Sequence, residues 1–341
     1  MGPSRPPLRV RANRGRMSIQ WYPGHMTKAR KLIADAIPGK DVLVEVVDGR
    51  MPRASRNPVL AELGRQKPLL IVLTKSDLAD PVVTADWMKH LEQSSARRGA
   101  PVLAVAVSST QQRPEARRLV HEACKKLAPV RGPNSVKPLR ALIMGVPNVG
   151  KSTLTNLLQG RHVAKTEDRP GVTKAEQKVV LDDGTVLSDV PGLLWPKLDD
   201  PRVGLCLALG GAIPDTAIDH EPVALFGLEI FLARYPQQLV DGFKLKELPA
   251  SADEALDAVG RKRGCLRSGG VIDRNKAAGH VLTAFRSGTL GRISLETPGH
   301  GSRLLQTDDP LDERFDDRDD EDGEHDDSEH DGDGFGDRDE A

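Results

Sequence analysis

Aromatic residues are scarce in this chain of 341 residues, at only 3% of the sequence. Its core must therefore be mainly aliphatic, and extensive base-stacking platforms for nucleic acid are not expected. The three cysteines, Cys124, Cys206 and Cys265, are far apart, which excludes a disulfide framework and a zinc knuckle. No apolar run approaches the ~18 residues that a membrane span needs. We predict a cytoplasmic protein without a membrane partner, whose cysteines fill the core.

Net charge is also absent, at +0, because two regions of opposite charge cancel. Residues 308–341 contain 19 acidic residues and three arginines, a net charge of −16, which leaves +16 on the rest of the chain. A segment with so many acidic and so few apolar residues cannot fold. The rest of the chain is basic, which is typical of RNA-binding proteins. The acidic tail either solubilises the protein or mimics phosphate and competes with RNA.

The first 16 residues carry five arginines and no acidic residue. They lack the apolar segment of a secretory signal, and their prolines disfavour the amphipathic helix of a mitochondrial presequence. Met17 is an alternative start. We predict a disordered basic arm over residues 1–17 and a disordered acidic tail over residues 299–341.

Gly145-Val-Pro-Asn-Val-Gly-Lys-Ser152 matches the complete phosphate-loop pattern G-x-x-x-x-G-K-[ST]. An apolar run of strand length precedes it at 139–144, and helical spacing of apolar residues follows it. Such a unit directs backbone N–H groups and a positive helix end at phosphate oxygens. We expect Lys151 to reach the β and γ phosphates and the Ser152 hydroxyl to bind Mg²⁺. The predicted phosphate-binding residues are Asn148, Val149, Gly150, Lys151, Ser152 and Thr153.

Asp189-Val-Pro-Gly192 follows about 40 residues after this loop, at the end of a short apolar run. Its carboxylate can hold Mg²⁺ through water, and Gly192 can offer its N–H to the γ-phosphate. Thr173, which follows a Pro-Gly pair between the two motifs, can add a second hydroxyl ligand to Mg²⁺. Thr166 is the alternative to Thr173. The predicted metal ligands are Ser152, Thr173 and Asp189.

Thr74-Lys-Ser-Asp77 follows an apolar run at 68–73 that is typical of a buried parallel strand. Asp77 can accept two hydrogen bonds from the ring N–H and exocyclic amine of guanine, a pair of donors that adenine lacks. Lys75 can lie along the base, while Thr74 replaces the usual asparagine, so we expect weaker contact to base and loop. A further strand at 101–107 ends at Ser108, whose loop can back the guanine through main-chain N–H groups.

This guanine-reading motif lies about 70 residues before the phosphate loop, whereas ordinary GTPases have the reverse order. Loops at the carboxyl ends of parallel strands meet at one edge of a doubly wound sheet, whatever their order in the chain. The Pro- and Gly-rich segment 128–138 suits a linker that joins the original termini. We predict an α/β fold: a circularly permuted P-loop GTPase domain with a doubly wound, mostly parallel sheet over residues 18–199.

After residue 200 the pattern becomes helical, and Ser251-Ala-Asp-Glu254 is typical of a capping box. We predict a smaller, all-helical RNA-binding domain over residues 200–298. Its basic residues form either an RNA-contacting surface or a solvated charged face; they are Arg261, Lys262, Arg263, Arg267, Arg274, Lys276, Arg286 and Arg292.

With these motifs in this order, the chain resembles the bacterial YlqF/RbgA family of circularly permuted ribosome-assembly GTPases, from about Gln20 to about Pro298. Its mitochondrial relatives are similar too. Further signatures of the resemblance are Trp21-Tyr-Pro-Gly-His-Met26, Val47-Asp-Gly-Arg50, Ser55-Arg-Asn-Pro58, Val223-Ala-Leu-Phe-Gly227 and Lys262-Arg-Gly-Cys-Leu266.

The resemblance implies hydrolysis of GTP to GDP with Mg²⁺, coupled to late maturation of the large ribosomal subunit. The implied partners are that subunit, its precursor and rRNA, with no DNA. The alternative function is a nucleotide-dependent RNA-binding switch in which hydrolysis is incidental.

Leu193 follows Gly192, at the position where Ras-like GTPases have a water-orienting glutamine. An apolar side chain cannot polarise water, so that group comes from elsewhere or the intrinsic rate is low. The resemblance implies that His25 is catalytic, and histidine can donate or accept near neutral pH; alternatively His25 caps or packs the first helix. The resemblance also implies K⁺ beside Asn148, in place of an arginine finger, the alternative being a loop-stabilising asparagine.

Overall fold

Six strands form a single sheet in the order β3-β2-β1-β4-β6-β5 in a computed structural model that describes residues 23–93, 99–108, 113–129, 137–159, 177–180, 184–195 and 200–298. All neighbouring pairs are parallel except β5 with β6. The strands are Val42–Asp48 (β1), Leu69–Thr74 (β2), Val102–Ala106 (β3), Arg140–Met144 (β4), Gln177–Val180 (β5) and Val186–Asp189 (β6). The predicted α/β fold with a mostly parallel sheet is confirmed.

The part of the chain that the structure describes also contains ten α-helices. Five accompany the sheet: Pro23–Ala36 (α1), Pro58–Leu63 (α2), Pro81–Gln93 (α3), Arg113–Leu127 (α4) and Lys151–Gln159 (α5). The other five follow it: Pro201–Leu209 (α6), His220–Arg234 (α7), Pro236–Phe243 (α8), Ala252–Lys262 (α9) and Arg274–Ser287 (α10). Among the described residues, no helix combines the length and the apolar character that crossing a membrane requires.

Two inner strands of the sheet, β1 and β2, explain the apolar runs in the sequence. Every residue of β1 and of β2 is buried, because parallel strands in the middle of a sheet are covered on both faces. The core that packs against these strands is mainly aliphatic, as expected. Among the described residues that form it, Trp87 is the single aromatic side chain. The three cysteines are free and buried, and burial raises the pKa of Cys124 to about 12.

The helical region begins with strong local signals. The Asp200 side chain accepts a hydrogen bond from the Arg202 amide and caps α6, which has proline at its first position. Ser251 caps α9 by accepting from the Glu254 amide at 3.2 Å. The Glu254 carboxylate returns to the Ala250 amide at 3.0 Å, one residue before the position expected in a capping box.

Arg50 joins this helical region to the sheet. Its side chain is almost completely buried, and its Nη1 donates to the Phe285 carbonyl in the last turn of α10 at 2.7 Å. The guanidinium also lies 4.2 Å from the centre of the Phe285 ring. Further along, the Glu296 carboxylate accepts from the amides of Arg53 at 2.8 Å and Ala54 at 3.1 Å. The chain therefore returns to the sheet after its last helix.

Three of the basic residues that we grouped as a candidate RNA surface are engaged in internal ion pairs. Arg274 contacts three carboxylates at 2.5–3.1 Å, those of Glu221, Asp253 and Asp257. Arg286 binds Asp215 at 2.9 Å, and Arg267 binds Asp273 at 3.2 Å. Arg274 and Arg286 thereby connect parts of the helical region to one another, so fewer of these basic residues are left for RNA than the sequence pattern indicated.

Several predictions concern segments outside the described residues. These are the basic arm at 1–17, the acidic tail at 299–341, most of the linker, and both Thr166 and Thr173. The boundary between residues 199 and 200 also stays a prediction.

Arg50→Met tests how much the buried guanidinium contributes to the fold. The substitution leaves the Asp48 carboxylate buried beside Lys75 alone and removes the donor from the Phe285 carbonyl. Breaking a buried pair from one side costs about 3–5 kcal/mol, and urea denaturation should show a loss of that size. Arg118→Met is the matched control, because Arg118 and Glu122 form an exposed pair at 3.6 Å; it should change stability by less than ~0.5 kcal/mol. Equal losses in both variants would contradict this account.

Candidate nucleotide site

The predicted nucleotide motifs meet at one edge of the sheet. Asp48 and Thr74 are register partners at the ends of β1 and β2, and Gly145 begins the loop that follows β4 between β1 and β6. Asp189 ends β6 opposite Ile143 of β4. Motifs from both halves of the chain therefore face one region, as the permutation requires.

The phosphate loop packs closely against its neighbours. Gly145 has φ +152°, and a Cβ atom there would collide with the Val46 carbonyl oxygen of β1. Gly150 has φ +99°, in the region that favours glycine. Val149 is buried, Ser152 is half-buried and Thr153 is exposed at the start of α5. The backbone therefore has the close approach that a phosphate cradle needs.

Lys151 lies inside this loop. It is buried, and its ammonium donates to the Val146 carbonyl at 2.7 Å. Burial lowers the pKa of Lys151 to about 8, although the charge of Asp189 opposes that shift. An anionic phosphate beside this ammonium would favour its charged form.

Asp189 and Gly192 lie against the same loop. Burial raises the pKa of Asp189 to about 6, against the opposing effects of Lys151 and Thr155. Its Oδ1 is buried and has no hydrogen-bond partner among the described residues, which fits a ligand atom for a water-bound cation. A Cβ on Gly192 would lie 2.9 Å from both the Lys151 ammonium and the Pro147 nitrogen. Only glycine at position 192 allows the backbone to lie this close to Lys151 and Pro147.

The guanine-reading loop also contacts the phosphate loop directly. The Thr74 hydroxyl donates to the Val149 carbonyl and, alternatively, to the Val47 carbonyl at 2.9 Å. Lys75, at φ +54°, donates to the Asn148 carbonyl at 3.0 Å. Thr74 therefore keeps a contact to the loop although it lacks the amide of asparagine, and the expected weakening of that contact stays a prediction.

Asp77, the predicted reader of guanine, lies three residues after the end of β2. Its Oδ1 is buried without a hydrogen-bond partner in the part of the chain that the structure describes. The Ser76 amide donates to the Val107 carbonyl at 3.4 Å, so the loop that contains buried Ser108 lies alongside. A buried carboxylate oxygen that lacks a donor is a suitable acceptor for guanine.

Asp48 is a part of the site that motif analysis missed. It is completely buried, and its carboxylate accepts from Arg50 at 2.9 and 3.0 Å and from Lys75 at 2.9 Å. Burial alone would raise the pKa of Asp48, but these two cations and their hydrogen bonds hold it well below its usual range. In the sequence, Asp48 was marked only as part of the family signature at 47–50. That short pattern does not by itself indicate which side chains the carboxylate binds.

Asn57 is a second missed residue. It is fully buried, caps α2 through the Val59 amide and donates from Nδ2 to the Leu193 carbonyl at 2.7 Å. The Leu193 side chain packs in the hydrophobic core. The backbone after Gly192 is thereby held in place without any polar side chain at position 193.

Asn148 connects the phosphate loop to the helical region. It has φ +58°, and its Nδ2 donates to the Gly211 carbonyl at 2.7 Å, just beyond α6. The sequence offered two roles for this residue, a K⁺ ligand and a loop-stabilising side chain, but no contact with the distant residue 211.

Two predicted site residues are placed only in part or not at all. His25 belongs to the backbone of α1, but its side chain lies outside the described part of the structure, as does the whole of Thr173. Their roles stay predictions.

Comparisons with known proteins agree with this geometry. A family model described as a 50S ribosome-binding GTPase matches residues 140–210. Ribosome biogenesis GTPase A of Bacillus cereus is 39% identical over 303 residues, which cover 87% of this chain and 100% of that protein. This chain belongs to the ribosome biogenesis GTPase A family. Membership confirms the predicted resemblance to YlqF/RbgA, the GTPase class and the ability to bind GTP and GDP.

More distant relatives also match most of this chain. The solved structure of YlqF from Thermotoga maritima with bound GNP has a TM-score of 0.57 and 25% identity, covering 80% of this chain and 99% of that one. Mitochondrial ribosome-associated GTPase 1 of Bos taurus is 31% identical, covering 83% of this chain and 90% of that protein. The family match starts at β4, as expected of a permuted domain whose phosphate loop lies in its second half.

Asp77→Asn tests the guanine-reading assignment. The amide keeps one acceptor but replaces the other with a donor, which clashes with the guanine amine and suits the carbonyl of xanthine. We expect GTP affinity to fall at least tenfold, about 1.4 kcal/mol, and XTP affinity to rise, as measured by calorimetry. Asp86→Asn, on the exposed face of α3, should leave both affinities unchanged. A variant that loses neither GTP affinity nor selectivity would exclude Asp77 as the base reader.

Proposed function

We propose that this chain binds the large ribosomal subunit or its precursor and couples GTP hydrolysis to a late step of subunit assembly. The observation that carries the proposal is the meeting of Asp77, Lys151 and Asp189 at one edge of a permuted sheet. The names of the relatives, ribosome biogenesis GTPase A, and the description of the matching family, 50S ribosome-binding GTPase, supply the biological setting. Free, buried cysteines suit the reducing cytoplasm.

The site residues divide into a base reader, a phosphate cradle and a metal site. Asp77 accepts from guanine, with Thr74, Lys75 and Ser108 shaping its loop. The backbone of residues 148–153, together with Lys151 and Gly192, holds the phosphates. Mg²⁺ would be held by Ser152, Asp189 and Thr173, and it would neutralise charge on the phosphate oxygens. The orphaned oxygen of Asp189 supports this ligand set.

The water-positioning group must come from outside the Asp189–Gly192 loop. The Leu193 side chain packs in the hydrophobic core, and its carbonyl accepts a hydrogen bond from Asn57. α1 packs Ile33 into the same core, and His25 lies eight residues earlier, roughly 12 Å along the helix axis. We assign the positioning of the attacking water to His25. A histidine can orient water or relay its proton near neutral pH.

A monovalent cation beside Asn148 is the proposed substitute for an arginine finger. The Asn148 amide nitrogen donates to the Gly211 carbonyl. This hydrogen bond fixes the side-chain orientation and leaves the amide oxygen pointing away from Gly211. K⁺ would add positive charge beside the phosphates.

Contact with rRNA is assigned to the helical region. Arg261, Lys262 and Arg263 are exposed at the end of α9, and no described residue forms an ion pair with them. Such residues set affinity for the RNA backbone without selecting a sequence.

His25→Ala tests the hydrolytic mechanism. GTP hydrolysis should be measured for wild type and variant, with and without large subunits, in K⁺ and in Na⁺. We expect subunits to stimulate the wild type, K⁺ to support a higher rate than Na⁺, and the variant to lose roughly 100-fold of the stimulated rate. GTP affinity should be unchanged, since the base and phosphate loops are intact.

His90→Ala provides the control, because His90 is an exposed histidine on α3. Its stimulated rate should equal that of wild type. Equal stimulated rates for wild type and His25→Ala would remove His25 from the chemistry. Absence of any stimulation by mature or precursor subunits would favour an RNA-binding switch in which hydrolysis is incidental.

A further inference from the structure

A cavity of about 280 Å³ opens in the helical region and contains none of the nucleotide-site residues. It lies between the turn Asp215–Ala217, the first residue of α7 and one face of α10. Positions three and four apart on a helix share a face, and the lining residues of α10 follow that spacing. The polar lining consists of Asp215, His220, Lys276, His280, Thr283 and Arg286.

The charge of this lining is positive. Arg286 donates to both carboxylate oxygens of Asp215, at 3.0 and 2.9 Å, so that the acidic group is already neutralised. The hydrogen bond from Arg286 holds the pKa of Asp215 below its ordinary value. Lys276 is exposed and adds a second positive charge, and it forms no ion pair with any described residue. The cavity therefore suits an anion.

The Nε2 atom of His220 has no hydrogen-bond partner among the described residues. It is shielded from solvent, and it lies 3.9 Å from the nearer Asp215 oxygen. A buried polar nitrogen without a partner is costly and calls for an explanation. An oxygen of a bound anion would accept from this imidazole N–H, and His280, which also lines the cavity, offers a second one.

Gly279 lines the cavity and contributes no side chain to it. Glycine in a helix interior is destabilising relative to alanine, and here no packing contact requires it, since a Cβ would meet nothing within 4 Å. By contrast, a Cβ on Gly260 of α9 would lie 2.6 Å from Ile272 and one on Gly227 of α7 would lie 2.9 Å from Leu209. The missing side chain at position 279 therefore leaves room for a ligand.

We propose that this cavity binds a phosphate group, through Lys276, His220 and His280, with Arg286 held beside it by Asp215. A tetrahedral anion with several acceptor oxygens matches the donors that α7 and α10 bring to this cavity. The phosphate comes either from an RNA backbone, an assignment that rests on the proposed function, or from a free phosphorylated compound.

Inorganic phosphate is the first probe, added to the full-length protein with the nucleotide loops saturated by GDP and Mg²⁺. Imidazole resonances of His220 and His280, assigned by single-histidine substitution, should shift saturably in wild type and in Gly279→Ala. Gly279→Glu places a carboxylate in the cavity and should weaken binding at least tenfold, while Lys276→Gln should weaken it at least fivefold. Lys246→Gln, which removes an exposed charge elsewhere in the helical region, should bind like wild type.

Urea denaturation shows whether the variants fold, and neither glycine substitution should lower stability. The proposal is overturned if neither histidine responds saturably to phosphate, or if folded Gly279→Glu binds it as wild type does. These measurements use no ribosomes, so failure of the proposed function would leave their outcome unchanged.

A single-stranded RNA oligonucleotide, followed by fluorescence anisotropy, identifies the source of the phosphate. If the backbone supplies it, Gly279→Glu and Lys276→Gln weaken RNA binding, and Lys276→Gln lowers the salt dependence by about one unit of log–log slope. If RNA affinity is equal in all variants while inorganic phosphate binding is lost, the site takes a free phosphorylated compound.

Discussion

The carboxylate of Asp48, buried at the end of β1, is the constraint on which the rest of the molecule depends. Burying a charge is very costly unless it is paired and hydrogen-bonded. Asp48 meets this requirement with Arg50 and Lys75. Those two side chains extend in different directions, to α10 and to the phosphate loop. One buried anion thereby aligns the sheet, the guanine-reading loop and the helical region.

The helical region contacts the sheet and the nucleotide loops at several points, and two of these contacts are connected to each other. Arg50 reaches the Phe285 carbonyl of α10, and Asn148 of the phosphate loop reaches the Gly211 carbonyl after α6. Arg286 then links these points, because it follows Phe285 and donates to the carbonyls that end α6. Hydrogen bonds of Asn148 and Arg286 therefore connect the phosphate loop to α6 and α10. In the permuted chain, the loop containing Asp189 also leads directly into those helices.

Motif analysis succeeded where chemistry is local in sequence, and it failed where residues act through distant partners. The pattern from Gly145 to Ser152 needed only its own spacing to be recognised. Asp48 and Asn57 carry no such pattern, because their partners Lys75 and Leu193 lie far from them in the sequence and come close only on folding. The arginines of α10 illustrate the reverse error. Their density suited either an RNA surface or a solvated charged face, but Asp257 of α9 pairs with Arg274 and Asp215 of the turn before α7 pairs with Arg286.

The sequence by itself determined the strand–loop–helix unit around Lys151, the reversed order of the motifs and hence the permuted, mostly parallel sheet. These follow from periodicity and from residue types whose chemistry depends on close neighbours in the chain. Only the tertiary structure decided which charges are buried, which pair, and where a cavity is left open. Those outcomes depend on distances between elements, such as Arg50 to Phe285 or His220 to α10, and the packing of whole helices against the sheet sets such distances.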